Sequence, residues 1–563
     1  MSDDHASRSR GAGRPDRPGR PGRSGRPGRS DAPGRSGRSD DVGRPERRDA
    51  AGRQRHRGAS GKGRQFSQSA PAQRARRADP ARAVAFETVR AVHAEDAYAN
   101  LVLPHRIRQA RLDRRDAGFA TELTYGTLRG QGLYDAVLTR CVDRPLDAVD
   151  AAVLDALRLG AHQLLGMRVP AHAALDATVA LVRDKIGAGP SGFVNAVLRR
   201  VSERDLDAWQ DEVAPDDGTD AALAVRTSHP AWVVRALRQA LATHGAAPAE
   251  LPQLLDANNA APLVHLIALP GLADREPLLE AGAEPSELLD SAAVYSGGDA
   301  GRLPGVREGV VRVQDAGSQL MARALAAAPR GDAATDTTAD DARPGVSTSG
   351  ARQGERWLDL CAGPGGKATL LAALAAHDGA HVLANEVAPH RAELVRSALR
   401  AVDPAAWTVR TGDGRTIAEE HPRAFDRILV DAPCTGLGAL RRRPESRWRR
   451  TPADLAELID LQAQLLDAAV AALAPGGVLA YVTCSPHAAE TVIQVQDVLR
   501  RHPHLELLDA GPVLQGVAAT DLGLPRANAA AEPGSVAAVA GATAQLWPHR
   551  HVTDAMFLAL LRG

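Results

Sequence analysis

From Ala81 to about Arg200, apolar residues recur at spacings of three and four, as in RAVAFETVRAVHAEDAYANLVLP, DRRDAGFATELTYGTLRGQGLYDAVLTRCV and LDAVDAAVLDALRLGAHQLLGM, with Gly or Pro at the joints. This periodicity predicts a bundle of amphipathic helices. Between about Asp205 and Leu320 the pattern is mixed. SHPAWVVRAL places Pro230 at a helix start and Trp232 on its apolar face, and VRVQDAGSQLMARALAA reads as a strand entering a helix. Beyond Trp357 the chain turns to short apolar runs that end in turn residues and give way to helical stretches. WLDL, HVLANEV, FDRILVD and GGVLAYVT predict buried strands, and their alternation with helices predicts an α/β sheet.

The stretch Trp357 to Leu371, WLDLCAGPGGKATLL, reads as strand, tight turn, helix. Glycines there let a backbone approach a ligand closely, and the free N–H groups of a helix start favour polar or negative groups, so the turn suits a nucleotide-like cofactor. Alone, a Gly-rich turn is a weak signal, and a plain tight turn is the alternative. Glu386, at the end of HVLANEV, stands 20 residues beyond Gly366, the distance at which a carboxylate accepts hydrogen bonds from ribose hydroxyls. Asp413 sits at another strand end, where it could bind an adenine amino group or simply cap a helix. FDRILVDAPCTG then carries Asp431 and Cys434 at its carboxyl end, and APGGVLAYVTCSP carries Cys484 at its own. Ligands of open α/β sheets bind beyond the carboxyl ends of strands, so these groups should meet in one crevice.

At 563 residues the chain is too long for one core. Its net charge of +1 hides an asymmetry, because residues 1–80 repeat GRP, GRS and GRSD units with almost nothing apolar to bury. That composition predicts a disordered arm able to neutralise RNA phosphates, or a solvated tail with no specific role. Residues 328–355 and 516–544 read as low-complexity insertions. Four cysteines, Cys141, Cys361, Cys434 and Cys484, are too few for a disulfide framework and lack CxxC spacing, which points to a reducing cytoplasm and no metal. No long uncharged apolar run predicts a membrane span or an export signal.

Two cysteines and a carboxylate at strand ends admit three readings: a poor zinc set, a redox disulfide, or covalent catalysis. GPGGK, the acidic strand end, DAPCTG and TCSPHAAE, in this order, resemble the S-adenosylmethionine-dependent RNA 5-methylcytosine methyltransferases of the NOL1/NOP2/Sun group. FATELTYGTLR, DALRLGAHQLL and SGFVNAVLRR resemble the NusB-like RNA-binding domain that precedes the catalytic domain in the Sun branch. The resemblance implies a multidomain fold: a NusB-like helical domain over 81–204, a connector over 205–320, and a Rossmann-like α/β methyltransferase domain over 321–563. It implies S-adenosylmethionine as cofactor, held by Cys361, Ala362, Gly363, Pro364, Gly365, Gly366, Lys367, Glu386, Asp413 and Asp431. Cys484 would be the nucleophile, Cys434 would assist product release, and Asp431 would hold the target base.

The implied substrate is 16S ribosomal RNA, bound by a monomer. Rival readings are a non-catalytic NusB-like antitermination factor, the same chemistry on tRNA, and a DNA cytosine methyltransferase, whose nucleophile would lie in the Pro-Cys motif. The chain departs from the family at Leu263 to Leu266, where an Arg is usual, and at Asp554-Ala555-Met556-Phe557, where Asp-Gly-Phe-Phe is usual and a sheet edge is expected to survive. The run from Arg441 to Arg450, basic with one aromatic, is expected to meet the RNA backbone.

Overall fold

The structure is a computed structural model that describes residues 78–331, 353–525 and 531–563. The Arg/Gly-rich arm and most of the expected insertion at 328–355 therefore lie outside the described residues.

The helical periodicity becomes a bundle of helices Pro80–Ala94, Ala99–Gln109, Arg114–Arg129, Gln131–Cys141, Ala151–Leu165, Ala171–Lys185 and Ser191–Val201. Asp79, Asp113 and Asp150 each precede a helix and accept hydrogen bonds from its free N–H groups. Every third or fourth residue faces inward, so that Val89, Leu123, Leu138, Leu157, Val182 and Leu198 form one buried core. Helices Ala231–Thr243 and Leu251–Asn259 lead into a small antiparallel sheet of β1 (Val264–Ala268), β2 (Glu284–Pro285), β3 (Ala292–Tyr295) and β4 (Val311–Val313), ordered β2-β3-β1-β4. At the departure from the family pattern, Leu263 is exposed just before β1, Val264 to Leu266 open the strand, and His265 is buried beside Asp315.

The main sheet contains β5 (Arg356–Asp359), β6 (His381–Glu386), β7 (Trp407–Thr411), β8 (Phe425–Asp431), β9 (Leu473–Thr483), β10 (Glu506–Leu508), β11 (Ala544–Gln545) and β12 (Phe557–Arg562). Its order is β10-β12-β9-β8-β5-β6-β7, with β11 pairing β12. Strands β5 to β9 pair in parallel, and β12 runs antiparallel to both β9 and β10. This is a doubly wound Rossmann-like sheet. Alternate residues serve its two faces: Trp357, Val382, Leu429 and Ala480 pack with helices Ala316–Ala327 and Gly366–Asp378, while Leu358, Leu383, Ile428 and Leu479 pack with helices Pro452–Ala472 and Val492–Arg501.

Two expectations change here. The carboxyl-terminal strand is not an edge, because β12 is inserted between β9 and β10 and all of Phe557 to Leu561 is buried. Within 516–544, Leu522 and Val539 are buried and helix Val536–Ala542 packs on helix Val492–Arg501, so the alanine- and glycine-rich composition hides core positions. No helix among the described residues is long and apolar enough to cross a membrane.

Candidate active site

The sheet changes winding direction between β5 and β8, and the glycine turn opens there. Gly363 donates its N–H to Glu386 Oε2 at 3.1 Å, and a Cβ on Gly363 would sit 2.0 Å from that oxygen. Only glycine allows this approach. Gly365 has φ +106° and packs its α-carbon where a side chain would strike Ala398, which places helix Gly366–Asp378 against its neighbour. Glu386 is buried, and its second oxygen accepts the N–H of Ala388 at 3.0 Å. The carboxylate is thus fixed by two backbone donors at the end of β6.

Lys367 does not stay with the turn. Its Nζ donates to Asp431 Oδ2 at 2.8 Å, bridging the start of helix Gly366–Asp378 to the end of β8. Beneath them lies Asp359, which motif reading passed over. It is buried, neither carboxylate oxygen has a hydrogen-bond partner, and burial together with the charge of Asp431 pushes its carboxyl up to about 8. An ionisable group ending a strand in mid-sheet is the signal that could have found it. Burial and the surrounding carboxylates push the Cys361 thiol up, so it stays protonated.

The two other cysteines meet. Cys434 Sγ and Cys484 Sγ are 3.4 Å apart, although 50 residues separate them in the chain. A buried polar network holds their loops together: Glu490 accepts the N–H of Thr435 at 2.8 Å and Gln462 Nε2 at 3.2 Å, the Thr435 and Ser485 hydroxyls are 3.0 Å apart, and Tyr481 donates its hydroxyl to Glu490 O at 2.8 Å. The pair is electrically uneven. The contact between the two sulfurs, in which either can donate, together with the positive charges of Lys367 and Arg443, holds the Cys484 thiol below its ordinary value. Cys434 is pushed up by that same contact, by burial and by the negative charge of Glu490. Cys484 is therefore the sulfur that ionises first.

A cleft of about 770 Å³ is bounded by Cys361, Gly363, Glu386, Asp413, Asp431, Cys434 and Cys484. Ala362 and Gly365 are buried behind the turn, and Pro364 is exposed on its outer side. Asp413 borders the cleft but is already engaged: it caps the turn Gly414–Thr416 through the Arg415 N–H at 2.9 Å and forms an ion pair with the Arg415 guanidinium at 2.6 Å. The residues present fit a nucleoside carrying a sulfonium and an amino group. Four carboxylates, Asp96, Glu386, Asp413 and Asp431, border the cleft, and Glu386 stands at the end of β6, where a ribose diol would lie.

The arginine run departs from expectation. Arg441 and Arg442 are held by Asp315 and Asp554, and Arg447 is fully buried, donating to Ser228 O at 3.0 Å and Asn259 Oδ1 at 2.7 Å. Arg449 donates to the carbonyls of Val92 and Ala97, and Glu445 accepts the N–H of Ala99. Trp448 packs against Gly132, where a Cβ would come within 2.6 Å of its ring. Most of this segment is a strut joining the helical bundle, the connector and the catalytic sheet. Among its arginines, Arg443 and Arg450 have no ion-pair partner among the described residues, and both border the cleft.

The family described as 16S rRNA methyltransferase RsmB/F matches residues 348–562, and the NusB family matches residues 79–203. MT1451 of Mycobacterium tuberculosis is 48% identical over 493 residues, covering 87% of this chain and 98% of that protein. The ribosomal RNA small subunit methyltransferase B of Erwinia tasmaniensis is 34% identical over 449 residues, covering 77% of this chain and 93% of that protein. The crystal structure of PH0851 shares the fold, with a TM-score of 0.67 and 21% identity across 86% of this chain and 99% of its own. With its NusB domain followed by an S-adenosylmethionine-dependent catalytic domain, the chain belongs to the RsmB/F family of 16S rRNA methyltransferases.

Proposed function

We propose that the chain methylates carbon 5 of a cytosine in 16S ribosomal RNA, acting in the cytoplasm as a monomer, through a transient covalent bond between Cys484 and carbon 6 of the base. The observation that carries this reading is the 3.4 Å approach of Cys434 and Cys484 inside the cleft that also holds the glycine turn.

Carbon 5 of cytosine is a weak nucleophile. A thiolate adding to carbon 6 moves the electron pair of the double bond onto carbon 5, which can then attack an electrophile. Cys484 suits that addition because Cys434, Lys367 and Arg443 all favour its thiolate. Asp431, oriented by Lys367, offers an oxygen to the amino edge of the base. When bound, S-adenosylmethionine supplies the electrophilic methyl group. Glu386 would hold the ribose, with the turn from Cys361 to Lys367 and Asp413 around the rest of the nucleoside. Release requires a base to take the carbon 5 proton, the carbon 5–hydrogen bonding pair to re-form the 5,6 double bond and the carbon 6–sulfur pair to leave with Cys484 as a thiolate, with Cys434 assisting at 3.4 Å. The charge asymmetry favours this assignment over a nucleophile in the Pro-Cys motif.

Cys484→Ala should abolish methyl transfer, whereas Cys434→Ala should leave a protein–RNA adduct that persists on a denaturing gel. A fully active Cys484→Ala enzyme would remove the assignment. Bisulfite sequencing of RNA from a deletion strain should show one cytosine of 16S rRNA losing its mark, and a lost site in tRNA would replace the substrate.

A further inference from the structure

The loop between the first two helices of the bundle reaches the catalytic cleft. Asp96 and Tyr98 border it together with Cys434 and Cys484. The strut fixes this loop from both sides: Arg449 Nη2 donates to Val92 O at 2.8 Å and Ala97 O at 2.6 Å, and Ala99 donates its N–H to Glu445 Oε1 at 3.2 Å. Tyr98 is therefore a half-buried aromatic held at a set position on the border of the cleft that contains the two sulfurs. Two guanidiniums lie over its ring, Arg443 at 5.2 Å and Arg449 at 5.0 Å from the centroid.

The two arginines differ. Arg449 is tied down by backbone carbonyls. Arg443 is exposed and has no ion pair or side-chain hydrogen bond among the described residues, so it can leave the ring at the cost of one cation–π contact, about 0.5–1 kcal/mol. A cytosine that leaves its stack to reach a thiolate also leaves its neighbour unstacked. Proteins hold such bases on aromatic faces and their phosphates on arginine.

Resting on the proposed function, we infer that Tyr98 and Arg443 form a clamp for the nucleotide next to the target cytosine: Arg443 moves to its phosphate and the face of Tyr98 takes its base. Tyr98 is a positioning residue contributed by the bundle, which thereby completes the catalytic cleft.

The test uses the full chain and an RNA hairpin containing the modified cytosine, with the base 5′ or 3′ to the target either present or removed to leave an abasic residue. On intact RNA, Tyr98→Ala should lower kcat/KM by roughly 5- to 100-fold, the loss of one base–aromatic stack, while the variant stays folded at the assay temperature and binds S-adenosylmethionine like wild type, and Tyr98→Phe should retain activity. On one of the two abasic RNAs the wild type should fall to the level of the variant, and the variant should lose nothing further. Losses that multiply on both abasic RNAs, or Tyr98→Ala activity equal to wild type, would overturn the clamp. Fluorescence anisotropy of the same RNAs reads the clamp without turnover, through the same non-additive loss of affinity. Absence of 5-methylcytosine in the wild-type product would strike the reaction assignment alone.

Discussion

The glycine turn at the end of β5 and the arginine strut beyond β8 border the same cleft, yet they obey different rules. In the turn, the residue types are imposed by the backbone: Gly363 because Glu386 leaves no space for a Cβ, and Gly365 because its φ is positive. Its partners lie one strand away in a regular sheet, at a spacing that the strand–helix–strand repeat fixes in advance. In the strut, the partners of Arg441, Arg442, Arg447 and Arg449 lie 112 to 357 residues away, on the connector, the carboxyl-terminal segment and the bundle. A guanidinium suits a phosphate and a buried carbonyl equally well, so charge alone does not say which it meets.

The largest effect should come from breaking the one ion pair that leaves the turn. Lys367→Met removes the partner of Asp431 and a positive charge that favours the Cys484 thiolate. Loss of one such preorganised electrostatic partner costs about 10²- to 10³-fold in kcat. The sign on pH is defined: the thiolate is the reactive form, so the wild-type rate falls as pH drops through the Cys484 pKa, which lies below the ordinary thiol value. Without Lys367 that pKa rises and the falling limb moves to higher pH. A pH–rate profile of kcat/KM checks this, and an unshifted limb would mean that Lys367 serves the cofactor alone.

The next effect falls on stability rather than chemistry. Arg447→Ala leaves the carbonyls of Ser228 and Asn258 and the side chain of Asn259 without their donor in the interior. Hydrogen bonds to a charged group contribute about 1.5–3 kcal/mol each, and partial relaxation should leave a net loss of about 3 kcal/mol. Arg443→Ala, exposed and held only by its contact with the Tyr98 ring, should stay within about 1 kcal/mol of wild type. Urea unfolding of the two variants sharpens the contrast. An Arg447→Ala protein that keeps its stability but loses RNA affinity would return the segment to the role its composition first suggested.

These cases also show what the sequence could disclose. The helices, the sheet strands, the glycine turn, Glu386 and the convergence of Cys434 with Cys484 all follow from period, turn chemistry and the rule that strand ends share a crevice. Lys367 was legible as part of a motif but not as the partner of Asp431, because its side chain crosses to another strand. Asp554 stood out only as the start of a departure from the family pattern at an expected sheet edge; its carboxylate anchors Arg441 and Arg442, with β12 lying between two strands. Tyr98 sits in an unremarkable inter-helix loop, and only the docking of the bundle brings it to the border of the cleft that holds the cysteines. Local constraint is written in residue type and spacing, whereas long-range contact requires the packed chain.

The smallest predicted effect belongs to Arg450, the half-buried last residue of the run, which borders the cleft with no ion-pair partner among the described residues. With Arg441, Arg442, Arg447 and Arg449 engaged within the protein, Arg450, like Arg443, is free to meet a phosphate. One such contact near a surface contributes about 0.5–1 kcal/mol, so Arg450→Ala should raise the RNA Kd roughly two- to fivefold at moderate salt. Because neutralising one phosphate of a single strand releases one condensed counterion, the slope of log K against log salt should shrink by about 0.7. Arg441→Ala should change that slope by nothing, since Asp315 and Asp554 already hold its charge. Titrations of both variants at a series of salt concentrations separate the two classes of arginine within one ten-residue segment, and equal slopes for the two would show that the strut does not divide its charges this way.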